Sequence, residues 1–124
     1  MQDVYPTLGI SDYDAATAFY VDALGFQIDW EHRFEPGFPV FMHISRDGLA
    51  LYLSQHRGAG PSGGLVYLYV PDVDAWHREV SAKGAHITHP PEDQPWGTRE
   101  MVVTDPDGNR LNISTRLRAN TPAS

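Results

Sequence analysis

The chain has 124 residues, 41% of them hydrophobic and 20% charged, with 16 acidic against 9 basic residues and a formal net charge of −7. That length suits one domain able to bury a core without staples, and the absence of Cys excludes disulfides, thiolate metal sites and Cys nucleophiles while agreeing with a reducing cytoplasm. No apolar run approaches the ~20 residues of a membrane span, the start Met1-Gln2-Asp3-Val4-Tyr5-Pro6 lacks the marks of a signal peptide, and the acid surplus suits a cationic small ligand better than nucleic acid.

In chain order, Val4–Ile10 reads as a short strand rich in β-branched and aromatic residues. Asp12 and Asp14 follow and can cap a helix that runs to about Leu24, with Ala15, Ala18, Phe19 and Leu24 near one face and Gly25 just beyond. Strands are expected near Phe26–Arg33, Phe38–Ser45 and Leu49–Gln55, with Asp47-Gly48 as a tight turn. His56–Gly64 reads as a loop. Leu65–Val70 opens a second series, followed by Asp72, Asp74 and a helix to about Lys83 with Val73, Trp76 and Val80 on its buried face and Gly84 at its end. The last strands are expected near His86–His89, Arg99–Thr104 and Arg110–Thr115, with Asp107-Gly108 as a turn matching Asp47-Gly48. Pro90–Gly97 reads as a loop, and the tail Arg116–Ser124 has little to bury and is expected to fray.

The two series are copies of one another. Shifting the sequence by 60 residues lays Ile10-Ser11-Asp12-Tyr13-Asp14-Ala15 on Val70-Pro71-Asp72-Val73-Asp74-Ala75, Asp47-Gly48 on Asp107-Gly108, and Leu51, Leu53 and Ser54 on Leu111, Ile113 and Ser114. The single domain 1–124 therefore reads as two βαβββ modules, about 1–60 and 61–115.

This duplicated unit, with Ser11-Asp12, Phe19-Tyr20 and Leu24-Gly25-Phe26 in one half and Asp105-Pro106-Asp107-Gly108-Asn109 in the other, resembles the vicinal-oxygen-chelate superfamily of glyoxalases, extradiol dioxygenases, fosfomycin-modifying enzymes and bleomycin resistance proteins. The likeness spans about residues 4–115 and implies an α+β fold in which each module curls its sheet into a half-barrel around a divalent metal. Carried over by spacing, the four ligand positions are Tyr5, Tyr52, Leu65 and Asn112, two pairs 60 residues apart. Leu cannot ligate, a neutral amide is a poor ligand and a phenol titrates near ~10, so no metal or other cofactor is expected there. The stretch Pro95-Trp96-Gly97 and the Tyr5-Pro6 start resemble the bleomycin-resistance branch in particular. That resemblance implies a homodimer, exchange of the first strand between partners near Pro6, and a planar, cationic antibiotic held in a groove between subunits.

Strand alternation marks the residues expected to face such a ligand. With Leu49, Leu51 and Leu53 packed on the helix, Ala50, Tyr52 and Ser54 face the other way; likewise Leu65, Tyr67 and Tyr69, and Arg110, Asn112 and Ser114. Trp30, His32, Phe34 and Phe38 group on and after the second strand, and Trp96 lies in a Pro/Gly-rich loop where an aromatic is hard to explain as core. Trp76 and Phe19 read as core, while Trp30 fits core or ligand. His77 and His86 read as solvated; His32, His43 and His56 can surround a pocket mouth, though their spacing matches no metal motif. Arg99 and Glu100 read as a surface ion pair, unless Met101 and Val103 pack, which turns Glu100 inward. Asp105 and Asp107 read as turn formers.

No Gly-x-Ser-x-Gly, phosphate loop or other nucleophile signature is present. The expected function is non-enzymatic sequestration of a planar, antibiotic-like molecule in the cytoplasm, with Trp30, His32, Phe34, Phe38, His43, Tyr52, Tyr67, Tyr69, Trp96, Glu100, Arg110 and Asn112 as candidate ligand contacts and neither nucleic acid nor membrane as partner. Two alternatives stay open: a lyase, isomerase or dioxygenase that holds its metal through a His such as His43 or His32 or works without one, and a ligand-free protein whose aromatics pack between subunits.

Overall fold

A computed structural model describes residues 4–56 and 63–117. The elements are β1 (Thr7–Gly9), α1 (Tyr13–Thr17), a π-helical segment (Ala18–Ala23), β2 (Gln27–His32), β3 (Phe41–Arg46), β4 (Leu49–Ser54), β5 (Leu65–Tyr69), α2 (Val73–Ala82), β6 (Ile87–Asp93), β7 (Thr98–Thr104) and β8 (Arg110–Arg116). They form two four-stranded mixed sheets, β1-β4-β3-β2 and β5-β8-β7-β6, so the tandem βαβββ architecture read from the repeat is the fold. Among the described residues, no helix is long and apolar enough to cross a membrane.

The duplication survives in the hydrogen-bond register. Thr7, Leu8 and Gly9 lie opposite Tyr52, Leu53 and Ser54, and the residues 60 further on repeat the pairing: Tyr67, Leu68 and Tyr69 opposite Asn112, Ile113 and Ser114. The antiparallel pair slips by one. His43 faces Tyr52, whereas Val102, not Val103, faces Asn112. The connection causes the slip. Asp47-Gly48 makes a two-residue turn with φ of 51° and 83°, the positive values such a hairpin needs. The second connection instead spans 105–109, closed by Asp105 N–H onto Asn109 C=O at 2.8 Å and by the Asp105 carboxylate, which accepts from the backbone N–H of Asp107 and Asn109.

Both helices start as expected, the Asp12 and Asp72 carboxylates accepting from Ala15 N–H at 2.8 Å and Ala75 N–H at 3.1 Å. The first does not stay α-helical to Leu24. From Ala18 it widens into a π-helical turn, with Leu24 N–H donating to Phe19 C=O at 2.9 Å, and Phe19, Tyr20 and Ala23 are all buried. β1 is also shorter than Val4–Ile10, because Pro6 has no N–H to pair; its carbonyl accepts from Tyr52 N–H at 2.9 Å. Conversely, β6 runs through Pro90-Pro91, which the sequence assigned to a loop. It is an edge strand whose register shifts between His89 and Glu92, and a bulge at an edge tolerates prolines. Arg116 closes β8 rather than opening a frayed tail, and Leu117 N–H donates to Gly97 C=O at 3.0 Å. The rest of that tail, 118–124, and most of the His56–Gly64 loop, 57–62, lie outside the described residues.

The helix-facing side chains of both sheets, including Met42, Ile44, Leu51, Leu53, Met101, Val103, Leu111 and Ile113, merge with Phe19, Tyr20 and Trp76 into one core. Polar ties cross between modules. The Tyr20 hydroxyl donates to Asp105 at 2.7 Å, and Asn109 Nδ2 donates to Gly9 C=O at 2.8 Å. Burial and then the Asp105 charge push the Tyr20 phenol far above its ordinary pKa, keeping it a neutral donor. Asp105 is therefore more than a turn former. Arg46 lies over the Trp76 ring at 3.7 Å and donates to Glu79 at 2.9 Å and Leu24 C=O at 2.6 Å. A Cβ on Gly25 would stand 2.9 Å from that guanidinium, on a backbone with φ of 80°.

Candidate functional site

With the helix-facing side chains buried, alternation sends the remaining ones of each sheet to its opposite face, and the two modules furnish that face differently. In the first, Tyr52 of β4 is ringed by Phe41 at 4.8 Å, His43 at 5.4 Å, Tyr5 at 5.5 Å and Trp30 at 5.9 Å between ring centroids. Trp30 stacks on His43 at 5.7 Å with an interplanar angle of 16° and remains 44% exposed, so of its two readings as core or ligand platform it is not core. His43 Nδ1 sits 2.8 Å from Asp29, a pairing made possible by the β2 bulge between Ile28 and Trp30. Hydrogen bonds from Ser45, Gln27 and His43 hold the Asp29 carboxyl below its usual range against the effect of burial. Trp30, His43 and Tyr52, three of the candidate contacts, thus come together, and Phe41, which was not among them, completes the group. His32, Phe34 and Phe38 do not join it. His32 meets Phe34 edge-on at 5.2 Å, and Phe38 lies in a turn where its carbonyl accepts from Arg33.

The second module offers a hydrogen-bonded recess of about 280 Å³ lined by Tyr67, His89, Pro90, Glu92, Gln94, Trp96, Glu100 and Val102. Glu100 is only 7% exposed, because Met101 and Val103 pack into the core and turn it to this face. The surface pair with Arg99 does not form. Adjacent strand residues point to opposite sides, and Arg99 bonds Asp74 and Asp93 at 3.1 and 2.9 Å instead. The Glu100 carboxylate accepts from Thr98 Oγ1 at 2.7 Å, Trp96 Nε1 at 3.0 Å and Asn112 Nδ2 at 3.1 Å. Burial by itself pushes this carboxyl up, but hydrogen bonds from Thr98, Trp96, Asn112 and Ser114 outweigh it and hold the group below the ordinary carboxylate range. Tyr67 and Tyr69 are half-exposed on β5, Arg116 covers the Tyr69 ring at 4.2 Å, and Arg110 is exposed at the start of β8. A second cavity of about 430 Å³ runs from Val4 and Pro6 past Leu49 and Ala50 to Val66–Tyr69.

A family model described as glyoxalase superfamily protein matches residues 1–120. The chain belongs to that superfamily. Within it, the fold is similar to a bleomycin resistance determinant encoded on the transposon Tn5, at 30% identity over 94% of this chain and 98% of that one, with a TM-score of 0.75. It is also similar to a bleomycin-binding protein solved in complex with bleomycin (29% identity, 94% and 99% covered, TM-score 0.74). A member of the glyoxalase/bleomycin resistance protein/dioxygenase superfamily from Sphaerobacter thermophilus matches at 27% identity, 94% and 98% covered, TM-score 0.73.

The metal that many glyoxalase-superfamily folds carry does not fit the four corresponding side chains here. Tyr5 and Tyr52 pack ring against ring, Leu65 has no donor atom, and both polar atoms of the Asn112 amide are engaged, Nδ2 by Glu100 and Oδ1 by the Ser114 hydroxyl at 2.7 Å. Among the described residues, no group of three or more His, Asp or Glu side chains converges to hold an ion. His43, with Nδ1 on Asp29, keeps only Nε2 for a further partner, and His32 lies apart from it beside Phe34, so the two do not pair as ligands. Phe41, Asp29, His89, Glu92 and Gln94 were not singled out from the sequence. For Phe41 the available signal was alternation with Met42 and Ile44.

Proposed function

We propose that this glyoxalase-superfamily chain binds and sequesters a planar, antibiotic-like small molecule in one-to-one fashion, without breaking a bond in it. The carrying observation is the group of rings around Tyr52, left open to solvent at Trp30. Aromatic pairs add about 0.5–1.5 kcal/mol beyond burial, so two or three rings supply about 1–4.5 of the roughly 8 kcal/mol that micromolar affinity requires, and burial of the ligand's apolar area must supply the rest. Trp30, Tyr52 and His43 supply the stacking core, with Phe34, Phe38 and His32 at its margin. Across the site Tyr67, Tyr69, Trp96 and Arg110 offer a further ring surface and polar contacts, with Glu100 and Asn112 bonded to one another beneath Trp96, and the net charge of −7 favours a cationic ligand. The relatives named for bleomycin resistance and bleomycin binding support the same reading.

The active form is proposed to be a homodimer in the cytoplasm, with the groove shared between subunits and the first strand exchanged near Pro6. The exposed row Leu65, Tyr67 and Tyr69 on an edge strand, beside the cavity reaching Pro6, supports a second copy as the occupant of that face. Titration with a panel of planar antibiotics while following tryptophan fluorescence is the direct test, with light scattering for the mass in solution. Saturable quenching at one ligand per chain or per half-groove is expected. Chelator-sensitive conversion of a ligand would overturn the reading.

A further inference from the structure

Trp96 is 65% exposed at the tip of the β6–β7 hairpin, in a turn closed by Gly97 N–H onto Gln94 C=O at 3.1 Å. A large side chain at such a tip ordinarily samples several rotamers, and ordering it on binding costs affinity. Here it is tethered. Its indole N–H donates to Glu100 Oε2, the same oxygen takes the Thr98 hydroxyl, and Oε1 takes the Asn112 amide, whose own oxygen is held by Ser114. Glu100, Thr98, Asn112 and Ser114 are all buried, so one exposed ring is anchored to a rigid polar cluster. Trp30 is held differently, by contact with the rings of Phe41, His43 and Tyr52; among the described residues Trp96 has no such ring contact.

We infer that Glu100 is a positioning residue, which fixes the Trp96 indole in one orientation and so presets its face over the recess as a stacking platform; this role rests on the planar-ligand reading above. The carboxylate is suited to it because it stays ionised in spite of burial, and a charged acceptor holds an N–H more firmly than a neutral one. Its oxygens are directed to the protein's own donors.

Two measurements test this, using full-length protein. The first needs no ligand: the Trp96 indole N–H, assigned in a ¹⁵N spectrum by its loss in Trp96→Phe, is expected to exchange slowly with water and to shift and exchange faster in Glu100→Gln. The second is a double-mutant cycle with two flat probes of the same shape, N-methylacridinium and neutral acridine at alkaline pH. Glu100→Gln and Trp96→Phe should each weaken both probes by about threefold to tenfold, and the double variant should bind no worse than the weaker single one. Trp96→Phe keeps the cycle informative if Glu100→Gln loses its fold. The inference is overturned if the wild-type indole N–H exchanges as freely as that of free tryptophan. It is also overturned if Glu100→Gln weakens only the cationic probe and does so equally in the Trp96→Phe background, since the carboxylate then meets the ligand's charge itself. If neither probe binds wild-type protein while the indole N–H is protected, the planar-ligand reading fails and the binding role of Glu100 fails with it.

Discussion

Phe41 and Glu100 occupy the same place in the two modules, opposite Ser54 and Ser114, yet one belongs to a stack of rings and the other is a buried carboxylate. Around them Tyr52 corresponds to Asn112 and His43 to Val102, while the helix-facing neighbours stay alike: Met42 with Met101, Ile44 with Val103, Leu51 with Leu111. Duplication has kept the face that makes the core and let the opposite face diverge. The constraint differs because a core side chain must fill a fixed volume, whereas one on the opposite face need only satisfy its own polar atoms.

The contrast can be broken most forcefully at its centre. Tyr52→Ala removes the ring that four others touch, and should weaken a planar probe about tenfold or more and destabilise the fold by about 2 kcal/mol, read by fluorescence titration and urea unfolding. Unchanged probe affinity would remove the first module from the site. Its counterpart Asn112→Ala takes a donor from Glu100 and the acceptor from Ser114; a stability loss of about 1–2 kcal/mol is expected, with a smaller effect on binding.

Acid titration compares the two carboxylates. Asp29 and Glu100 both have folded-state pKa values below the ordinary one of about 4, so their contribution is complete above that pH and is lost as pH falls through the folded values. Glu100→Gln should remove the second module's share of this acid sensitivity, and an unchanged slope of stability against pH would show that Glu100 does not carry it. The smallest effects belong to Phe34→Ala and Phe38→Ala, which lie outside the ring group and should change probe affinity by about twofold. A loss equal to that of Tyr52→Ala would shift the ligand's seat to the β2–β3 connection.

Much of this was legible in the sequence, because repeats and alternation are local patterns. The 60-residue shift carried the equivalence of the two modules, which the matching registers of β1 on β4 and β5 on β8 repeat. Trp30, His43 and Tyr52 were each singled out as candidate contacts, though not as one group, and packing of Met101 and Val103 was the condition under which Glu100 turns inward. What was not legible depended on partners far apart in the chain. Asp105 read as a turn residue because its other role needs Tyr20, 85 residues away. Its bonds to Asp107 and Asn109 set the longer connection that slips β7 by one place. Phe41 was missed when the strand was started at Phe38, three residues early, leaving its phase open.

The widened turn at Ala18–Ala23 has a consequence for how this chain can vary. Trimming one residue there would replace the Leu24–Phe19 bond with an ordinary α-helical one and strain the Tyr20–Asp105 bond, leaving Asn109 on Gly9 as the remaining buried polar tie between the halves. Length in this segment is thus locked even where identity is free. Asp22, pointing to water, can change to almost any polar residue, while a single deletion beside it would be felt at the far end of the chain.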